Sequence, residues 1–374
     1  MTALAPATPV SQRRIPFWAR LIIWSLVGIV AYFALLVAIQ YLSIVGSVDP
    51  GADKANALAT SAATSAQQVG NALVLGAIYA LVALGYTMVY GIIELINFAH
   101  GDIFMVGTFV SLFFLTTFPA PLDFLGLNLT GAVNEPLVLV AILAAALVVG
   151  MVLIGGLNVT IERFAYRPLR HAPRVAPLIT AIGVSLILQN LMQLIVGAGD
   201  RKVPQIVPND HIEIFGVQVR LISAIIFVVA VGLMIGLQAF VSRTRLGRAM
   251  RATAQDQQAA QLMGVDLNQT IAMTFLIGGA LAGAAGVFQG QYFGFVRFDL
   301  GFTAGLKAFT AAVLGGIGNL TGAAIGGFLI AFIEVFAQSV GQARWSQAIV
   351  FGVLIIVLVF RPAGILGQQI GERA

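Results

Sequence analysis

The sequence has 374 residues, of which 59% are hydrophobic and 9% charged, with a formal net charge of +5. Soluble domains contain about 45–50% apolar and about 25% charged residues, so this composition excludes an ordinary water-soluble protein. The chain has no cysteine, which excludes disulfides and thiolate metal sites, and its three histidines are far apart in sequence. We therefore predict an all-α integral membrane protein that binds no metal.

The first apolar run, residues 21–39, follows several arginines and is long enough to cross a bilayer, which takes about 20 residues. It is longer than the hydrophobic region of a cleaved signal peptide, about 7–15 residues, which is the alternative interpretation. We predict a retained anchor at about residues 18–41. Residues 43–68, rich in Ala, Ser and Thr, are predicted to form a non-cytoplasmic loop.

The rest of the chain contains further runs that predict membrane-spanning helices and one short glycine-rich run that predicts a partly spanning helix. The long runs are residues 69–90, 98–118, 136–157, 177–196, 221–241, 269–289, 320–340 and 345–360, and the short run is 302–316. Together with the N-terminal anchor they give about ten spans. An even number of crossings places both termini on one side of the membrane.

Most of the 20 lysines and arginines are predicted to lie on the side of the termini. Those on this side are Arg13, Arg14, Arg20, Arg163, Arg167, Arg170, Arg174, Arg243, Arg245, Arg248, Arg251, Arg361 and Arg373; those opposite are Lys54, Arg201, Lys202, Arg220, Arg297 and Arg344. Cytoplasmic loops carry the excess of basic residues, so we predict that both termini are cytoplasmic, including a tail at residues 369–374. The basic charge reports topology, and we predict no nucleic-acid binding.

A polar stretch, residues 90–107, interrupts the apolar pattern with Glu94, Asn97, His100 and Asp102. Ionisable groups at membrane depth cost about 2.5–3.5 kcal/mol each on insertion scales, so they mark a wet or protein-lined pathway. The alternative is a short cytoplasmic hairpin in which the same groups are solvated. The sequence favours neither interpretation over the other.

Two further ionisable residues, Lys307 and Glu334, lie within apolar runs. Lys307 either extends to the membrane interface along its apolar stem or takes part in a pathway or an inter-helix contact. Glu334 is expected to pair with a polar group on a neighbouring helix. Which acidic residue pairs with Lys307 (Glu94, Asp102 or Glu334) stays open at this point.

Residues 242–268 form a basic cytoplasmic loop in which residues 252–263 predict one short helix, ended by Gly264. An exposed helix of this kind suits docking into a groove of a soluble partner. An inert basic loop that only sets topology is the alternative. The chain has no phosphate-binding loop of the form GxxxxGK[ST] and no hydrolase motif, so it is not predicted to be an enzyme.

Five segments resemble one family in order along the chain: residues 76–111, 161–170, 179–190, 245–266 and 304–327. They are similar to the H-type permease subunit of bacterial branched-chain amino acid ABC importers. The resemblance covers about residues 69–368, and residues 1–68 lie outside it. It implies a multi-pass inner-membrane permease that transports branched-chain amino acids delivered by a periplasmic binding protein.

The resemblance also implies partners and site residues. The implied partners are a second permease subunit and two cytoplasmic ATPases, which bind ATP and Mg²⁺ while this chain binds no cofactor. The residues implied to contact the ATPase are Arg248, Arg251, Ala252, Asp256, Ala259, Ala260, Leu262, Gly264 and Asp266. The candidate pathway residues are Glu94, Asn97, His100, Asp102, Lys307 and Glu334.

Three alternative functions remain open from the sequence. Within the family, an importer of urea or short-chain amides has a similar permease, although an apolar conduit suits leucine side chains better. A secondary transporter coupled to an ion gradient would use the intramembrane ionisable residues and need no ATP. A polytopic membrane enzyme is the third, and the missing catalytic motif argues against it.

Overall fold

A computed structural model describes residues 32, 35–39, 42, 54–94, 97–117, 136–170, 172–173, 175–208, 210–214, 217–361 and 363–367. The chain divides into two compact units, residues 1–69 and 70–374. The predicted N-terminal anchor lies largely outside the described residues. Within the anchor, the described residues 35–39 are helical. The predicted cytoplasmic tail lies outside them entirely.

Helices form almost all of the regular structure, and eight of those described are long and apolar enough to cross a membrane. The helices are α1 (Lys54–Ile93), α2 (His100–Thr117), α3 (Pro136–Ile161), α4 (Val175–Val196), α5 (Leu221–Arg243), α6 (Arg245–Gln255), α7 (Gln257–Leu262), α8 (Leu267–Phe293), α9 (Leu300–Gly315), α10 (Leu320–Ser339) and α11 (Ser346–Phe360). A π-helical turn (Glu162–Tyr166) and a 3₁₀ turn (Arg167–Leu169) follow α3, and a second 3₁₀ turn (Ala343–Trp345) precedes α11. These residues thus form a multi-pass membrane protein.

The predicted spans between residues 69 and 360 each correspond to one helix, and the short α9 follows the partly spanning segment. The largest difference is at α1, which begins at Lys54 although residues 43–68 were predicted as a loop. Residues 54–68 are rich in alanine, the strongest helix former, so they are helical although they are less apolar than the rest of α1.

The helices differ sharply in how deeply they are buried. The most apolar windows of α1 and α8 are 94% and 72% buried, whereas those of α5 and α11 are 17% and 11% buried. Helix α8 packs against α3 and α2, and α9 packs against α10 and α2. The centre of residues 70–374 is therefore formed by α1, α2 and α8, with α5 and α11 at the periphery.

Glycines allow α2 and α9 to meet backbone to backbone. Gly301 and Gly305 lie one turn apart on α9, and Gly101 of α2 fits against both. A methyl group on Gly101 would lie 2.7 Å from the Cα of Gly305, well inside van der Waals contact. Small residues at this spacing let membrane helices approach closely, and here they place α9 directly beside the polar start of α2.

We expect Gly101→Leu to force α2 and α9 apart and to destabilise the protein by about 1–3 kcal/mol or more, as overpacking of a close contact does. Thermal unfolding of the purified protein in detergent measures this loss. Gly183→Leu is the control, because no atom lies within 4 Å of the added carbon on α4. Equal melting temperatures for the two variants would contradict the close contact.

Two short antiparallel ladders accompany the helices. Strands β2 (His211–Ile214) and β3 (Val217–Arg220) form a hairpin before α5. Strand β1 (Arg201–Lys202) follows α4 and pairs with β4 (Phe295–Val296), which follows α8. The pairing ties the end of α4 to the end of α8.

Candidate functional site

The connection between α1 and α2 separates the four polar residues that the sequence grouped together. Glu94 is exposed and adopts a φ of 53°, a left-handed conformation that is uncommon for a residue other than glycine. Asn97, His100 and Asp102 are buried, with at most 3% of their surface exposed. The solvated-hairpin interpretation is therefore wrong for these three residues and fits Glu94 alone.

Asn97 organises the start of α2. Its Oδ1 accepts a hydrogen bond from the backbone N–H of Ala99 at 3.1 Å, and its backbone carbonyl accepts from the N–H of His100. The same Oδ1 accepts a bond from the hydroxyl of Tyr166 at 2.7 Å. Since Tyr166 lies in the π-helical turn after α3, the connection before α2 is held by a separate element.

Asp102 lies in the first turn of α2 and is fully buried. Its carboxylate accepts hydrogen bonds from the hydroxyl of Ser185 and, at 3.0 Å, from Nε2 of Gln189. A helix N-terminus also favours negative charge. Dipoles rather than a cation thus compensate the carboxylate, because no lysine or arginine in the described ranges lies within 4 Å of it.

We expect Ser185→Ala to destabilise the protein by about 1.5–3 kcal/mol, because it removes a hydrogen bond to a charged group and leaves a lone pair of Asp102 unpaired in the interior. Chemical or thermal unfolding in detergent measures the change. Thr180→Ala on the same helix is the control, since the Thr180 hydroxyl bonds only the carbonyl of Ala176 in its own helix. A smaller loss for Ser185→Ala than for the control would contradict this assignment.

His100 is buried against neighbouring side chains. Its ring lies edge-on to Tyr86 with centroids 4.7 Å apart, and Gly85 leaves room for its Cε1. The carbonyl of Val82 lies nearby, but neither ring nitrogen forms a hydrogen bond of normal geometry within the described residues. Nor do those residues contain a group of three His, Asp or Glu side chains placed to hold a metal ion.

Lys307 and Glu334 form an ion pair between α9 and α10. Nζ of Lys307 lies 2.6 Å from Oε1 of Glu334, and their side chains are 12% and 7% exposed. The hydroxyl of Tyr79 on α1 donates to Oε2 of Glu334 at 3.0 Å and accepts from Lys307 at 3.4 Å. The inter-helix interpretation of Lys307 is thereby confirmed, with Glu334 as its partner, and the three residues join three helices.

The loop after α5 contains two helices where the sequence predicted one. Asp256 interrupts the predicted helix with an extended backbone, φ −157° and ψ 111°. Its side chain accepts from the N–H groups of Gln258 and Ala259 and so begins α7 as an N-cap. A short side-chain acceptor competes with the helix backbone at this position, which is why one continuous helix does not form.

Helix α7 ends in a glycine motif, as predicted. Gly264 has a φ of +84°, its N–H bonds the carbonyl of Gln261, and the N–H of Val265 bonds that of Ala260. The reversal leaves Leu262 and Met263 at the end of α7 with 89% and 85% of their surface exposed. Two adjacent large apolar side chains are thus exposed on an otherwise polar loop.

The other residues predicted to contact an ATPase differ in how exposed they are. Arg248 and Ala259 are exposed, Ala252 is half-buried and Ala260 is buried. The guanidinium of Arg251 bonds the last carbonyls of α5, at Val241 and Ser242, and Asp266 caps α8 through the N–H of Gln269. The apolar end of α7 is therefore exposed, while Arg251, Asp256, Gly264 and Asp266 shape the loop.

Several polar partners were missed from the sequence. Ser185 and Gln189 are four residues apart, so they lie on one face of the apolar helix α4, and this spacing was a usable signal. The sequence contained no such signal for Tyr79, Tyr166 and Gln257, because tyrosines in membrane helices and a glutamine in a loop are common. Their roles follow from contacts between elements that are distant in sequence.

Comparisons with known proteins agree along most of the chain. A family model for the permease component of branched-chain amino acid transport systems matches residues 68–358. The high-affinity branched-chain amino acid transport system permease protein BraD of Pseudomonas aeruginosa is 43% identical over 311 residues, or 82% of this chain and 97% of its own length. The corresponding protein LivH of Escherichia coli K12 is 41% identical with the same coverage.

A third similar protein covers less of the chain. The autoinducer 2 import system permease protein LsrD of Salmonella paratyphi B is 31% identical over 137 residues, which are 35% of this chain and 41% of its own length. No solved structure matches the chain. The comparison therefore depends on the two relatives that match most of the chain.

Proposed function

This chain belongs to the permease family of branched-chain amino acid transport systems, and from that membership we propose that it is the membrane subunit of an ATP-driven importer. The match at residues 68–358 confirms the resemblance drawn from the sequence. The proposed substrates are branched-chain amino acids, delivered by a periplasmic binding protein. The chain is a transporter subunit in a membrane, and the inner membrane is the proposed location.

The observation that supports a motor-driven mechanism is the exposed end of α7. Leu262 and Met263 lie together on a loop that the arginine distribution predicts to be cytoplasmic. The sequence contains no phosphate-binding loop, so a chain that uses ATP must recruit an ATPase. We propose that α7 docks into a groove on one of two cytoplasmic ATPase subunits.

The architecture also supports a second permease subunit. In the most apolar windows of α5 and α11 only 17% and 11% of the residues are buried, and a permease half needs a partner to enclose a pathway. We propose a heterodimer of this chain with a second permease, with both termini in the cytoplasm. Glu94, Asn97, His100 and Asp102 remain the proposed pathway residues near the start of α2, and Lys307 and Glu334 those at α9 and α10.

The experiment that tests this function is reconstitution of the chain into vesicles with its second permease, its two ATPases and its binding protein. We expect uptake of radiolabelled leucine that requires ATP and the binding protein. Uptake driven by a proton or sodium gradient without the ATPases would overturn the proposal. Stronger competition by urea or acetamide than by isoleucine and valine would overturn the proposed substrate class.

A further inference from the structure

Besides the bonds from Arg251 to the end of α5, two side-chain hydrogen bonds join the cytoplasmic loop that carries the proposed docking helix to segments distant in sequence. Nε2 of Gln257, the first residue of α7, donates to the carbonyl of Ile92 in the last turn of α1 at 2.8 Å. Oδ1 of Asn268, in the first turn of α8, accepts from the guanidinium of Arg170 at 2.7 Å. Arg170 is also ion-paired with Glu162 in the π-helical turn.

The π-helical turn continues this connection into the membrane part. Tyr166 ends the turn and donates to Oδ1 of Asn97, and its ring lies 5.6 Å from that of Phe275 on α8. Both Tyr166 and Asn97 are buried, at 5% and 3% exposure. Single π-helical turns inside α-helical segments are rare and occur frequently at functional sites.

The two routes reach the two sides of the connection between α1 and α2. Gln257 bonds Ile92 in the last turn of α1, and Tyr166 bonds Asn97 just before α2. Between them Glu94 has its left-handed backbone, a conformation that persists only where the surroundings impose it. The buried Asp102 lies in the first turn of α2, just after Asn97, so the position of Asn97 bears directly on this polar turn.

We propose that the end of α1 and the start of α2 receive the movement of the docking loop, with Gln257 and Tyr166 as the positioning residues that transmit it. The inference rests on the proposed function, because it needs an ATPase to displace α7. Displacement of α7 pulls on Ile92 directly, and displacement of the start of α8 acts through Arg170 and the π-helical turn on Asn97. The two bonds lie on either side of the connection between α1 and α2, so a shift of the loop acts on the end of α1 and on the start of α2.

The test uses the complete reconstituted complex with Tyr166→Phe or Gln257→Ala in this chain. Each change removes one hydrogen bond and leaves Leu262 and Met263 in place. We expect ATPase binding to be unchanged and ATP hydrolysis to stay within about two-fold of wild type. Leucine transported per ATP should fall about five-fold or more, the lower end of measured couplings between sites.

A matched control and a double variant separate transmission from general stability. Tyr292→Phe removes another tyrosine hydroxyl that bonds an asparagine, Asn71, at a separate site, and should leave the transport-to-hydrolysis ratio unchanged. Asn97→Ala combined with Tyr166→Phe should lower that ratio no further than Asn97→Ala alone, because both remove the same contact.

The outcomes distinguish this inference from the proposed function. If the wild-type complex imports leucine with ATP and both single variants keep its transport-to-hydrolysis ratio, the transmission role is wrong and the importer function stands. If the Tyr166→Phe variant instead fails to fold or to bind the ATPase, the transmission role is also wrong, because Tyr166 would then have a structural role. If the wild-type complex shows no ATP-dependent uptake, the proposed function itself fails.

Discussion

Lys307→Met is expected to destabilise the protein by about 3–5 kcal/mol, because it leaves Glu334 charged and unpaired in a buried site. The side chain of Glu334 is 7% exposed, so water cannot replace the ammonium group. The hydroxyl of Tyr79 at 3.0 Å and Nε2 of Gln338 at 3.4 Å remain as donors, but two neutral hydrogen bonds do not compensate a full charge. The yield of folded protein and its melting temperature in detergent measure the loss.

A second substitution makes the cause of this loss testable. Adding Glu334→Gln to Lys307→Met removes both charges, and we expect it to recover most of the lost stability. Lys202→Met, at an exposed lysine in β1, is the control and should be close to wild type. If the double variant is no more stable than Lys307→Met, the ion pair is not the source of the effect.

The same double variant bears on the mechanism of energy coupling. A secondary transporter that used Lys307 or Glu334 to bind its coupling ion would lose uptake once both residues are neutral. In an ATP-driven importer neither residue has to bind a coupling ion, so the folded double variant should retain measurable ATP-dependent uptake. Leucine uptake by reconstituted complexes of equal protein content decides between these alternatives.

The spans were predictable because a bilayer leaves a chain few choices. A run of about 20 apolar residues must form a helix to satisfy its backbone, so the runs from residue 69 onward gave the helices almost directly. The start of α1 at Lys54 was missed because alanine-rich sequence is helical without being strongly apolar. The break at Asp256 was missed because the sequence does not show whether the Asp256 carboxylate or a backbone carbonyl accepts the hydrogen bonds of two nearby N–H groups.

The sequence indicated which ionisable residues belong to the site, but not which residues they contact. Burying an ionisable group in an apolar run is costly, so Asp102, Lys307 and Glu334 stood out by type alone. Their partners lie on other helices, and helix rotation and packing decide which side chains meet. The pairing of Lys307 with Glu334, and the bond from Tyr166 to Asn97, therefore required the structure.

The exposed end of α7 gives the other large expected effect, on assembly rather than stability. Replacing both Leu262 and Met263 with aspartate should weaken binding of the ATPase about 30-fold or more, the loss typical of an interface hot spot. Folding should be unaffected, because both side chains are more than four-fifths exposed and surface changes usually stay within about 0.5 kcal/mol. Co-purification and titration of the ATPase against the permease in detergent measure the affinity.

The control for this prediction separates apolar contact from charge. Gln258→Asp with Gln261→Asp adds the same two negative charges to α7 at exposed positions and leaves Leu262 and Met263 intact. If apolar burial drives docking, this variant should bind far better than the one lacking the two apolar side chains. Equal losses in both would mean that added charge alone disrupts the contact, and unchanged binding in both would show that the ATPase docks elsewhere. Since Gly264 turns the chain immediately after Met263, the two apolar side chains end the helix where a groove can enclose them.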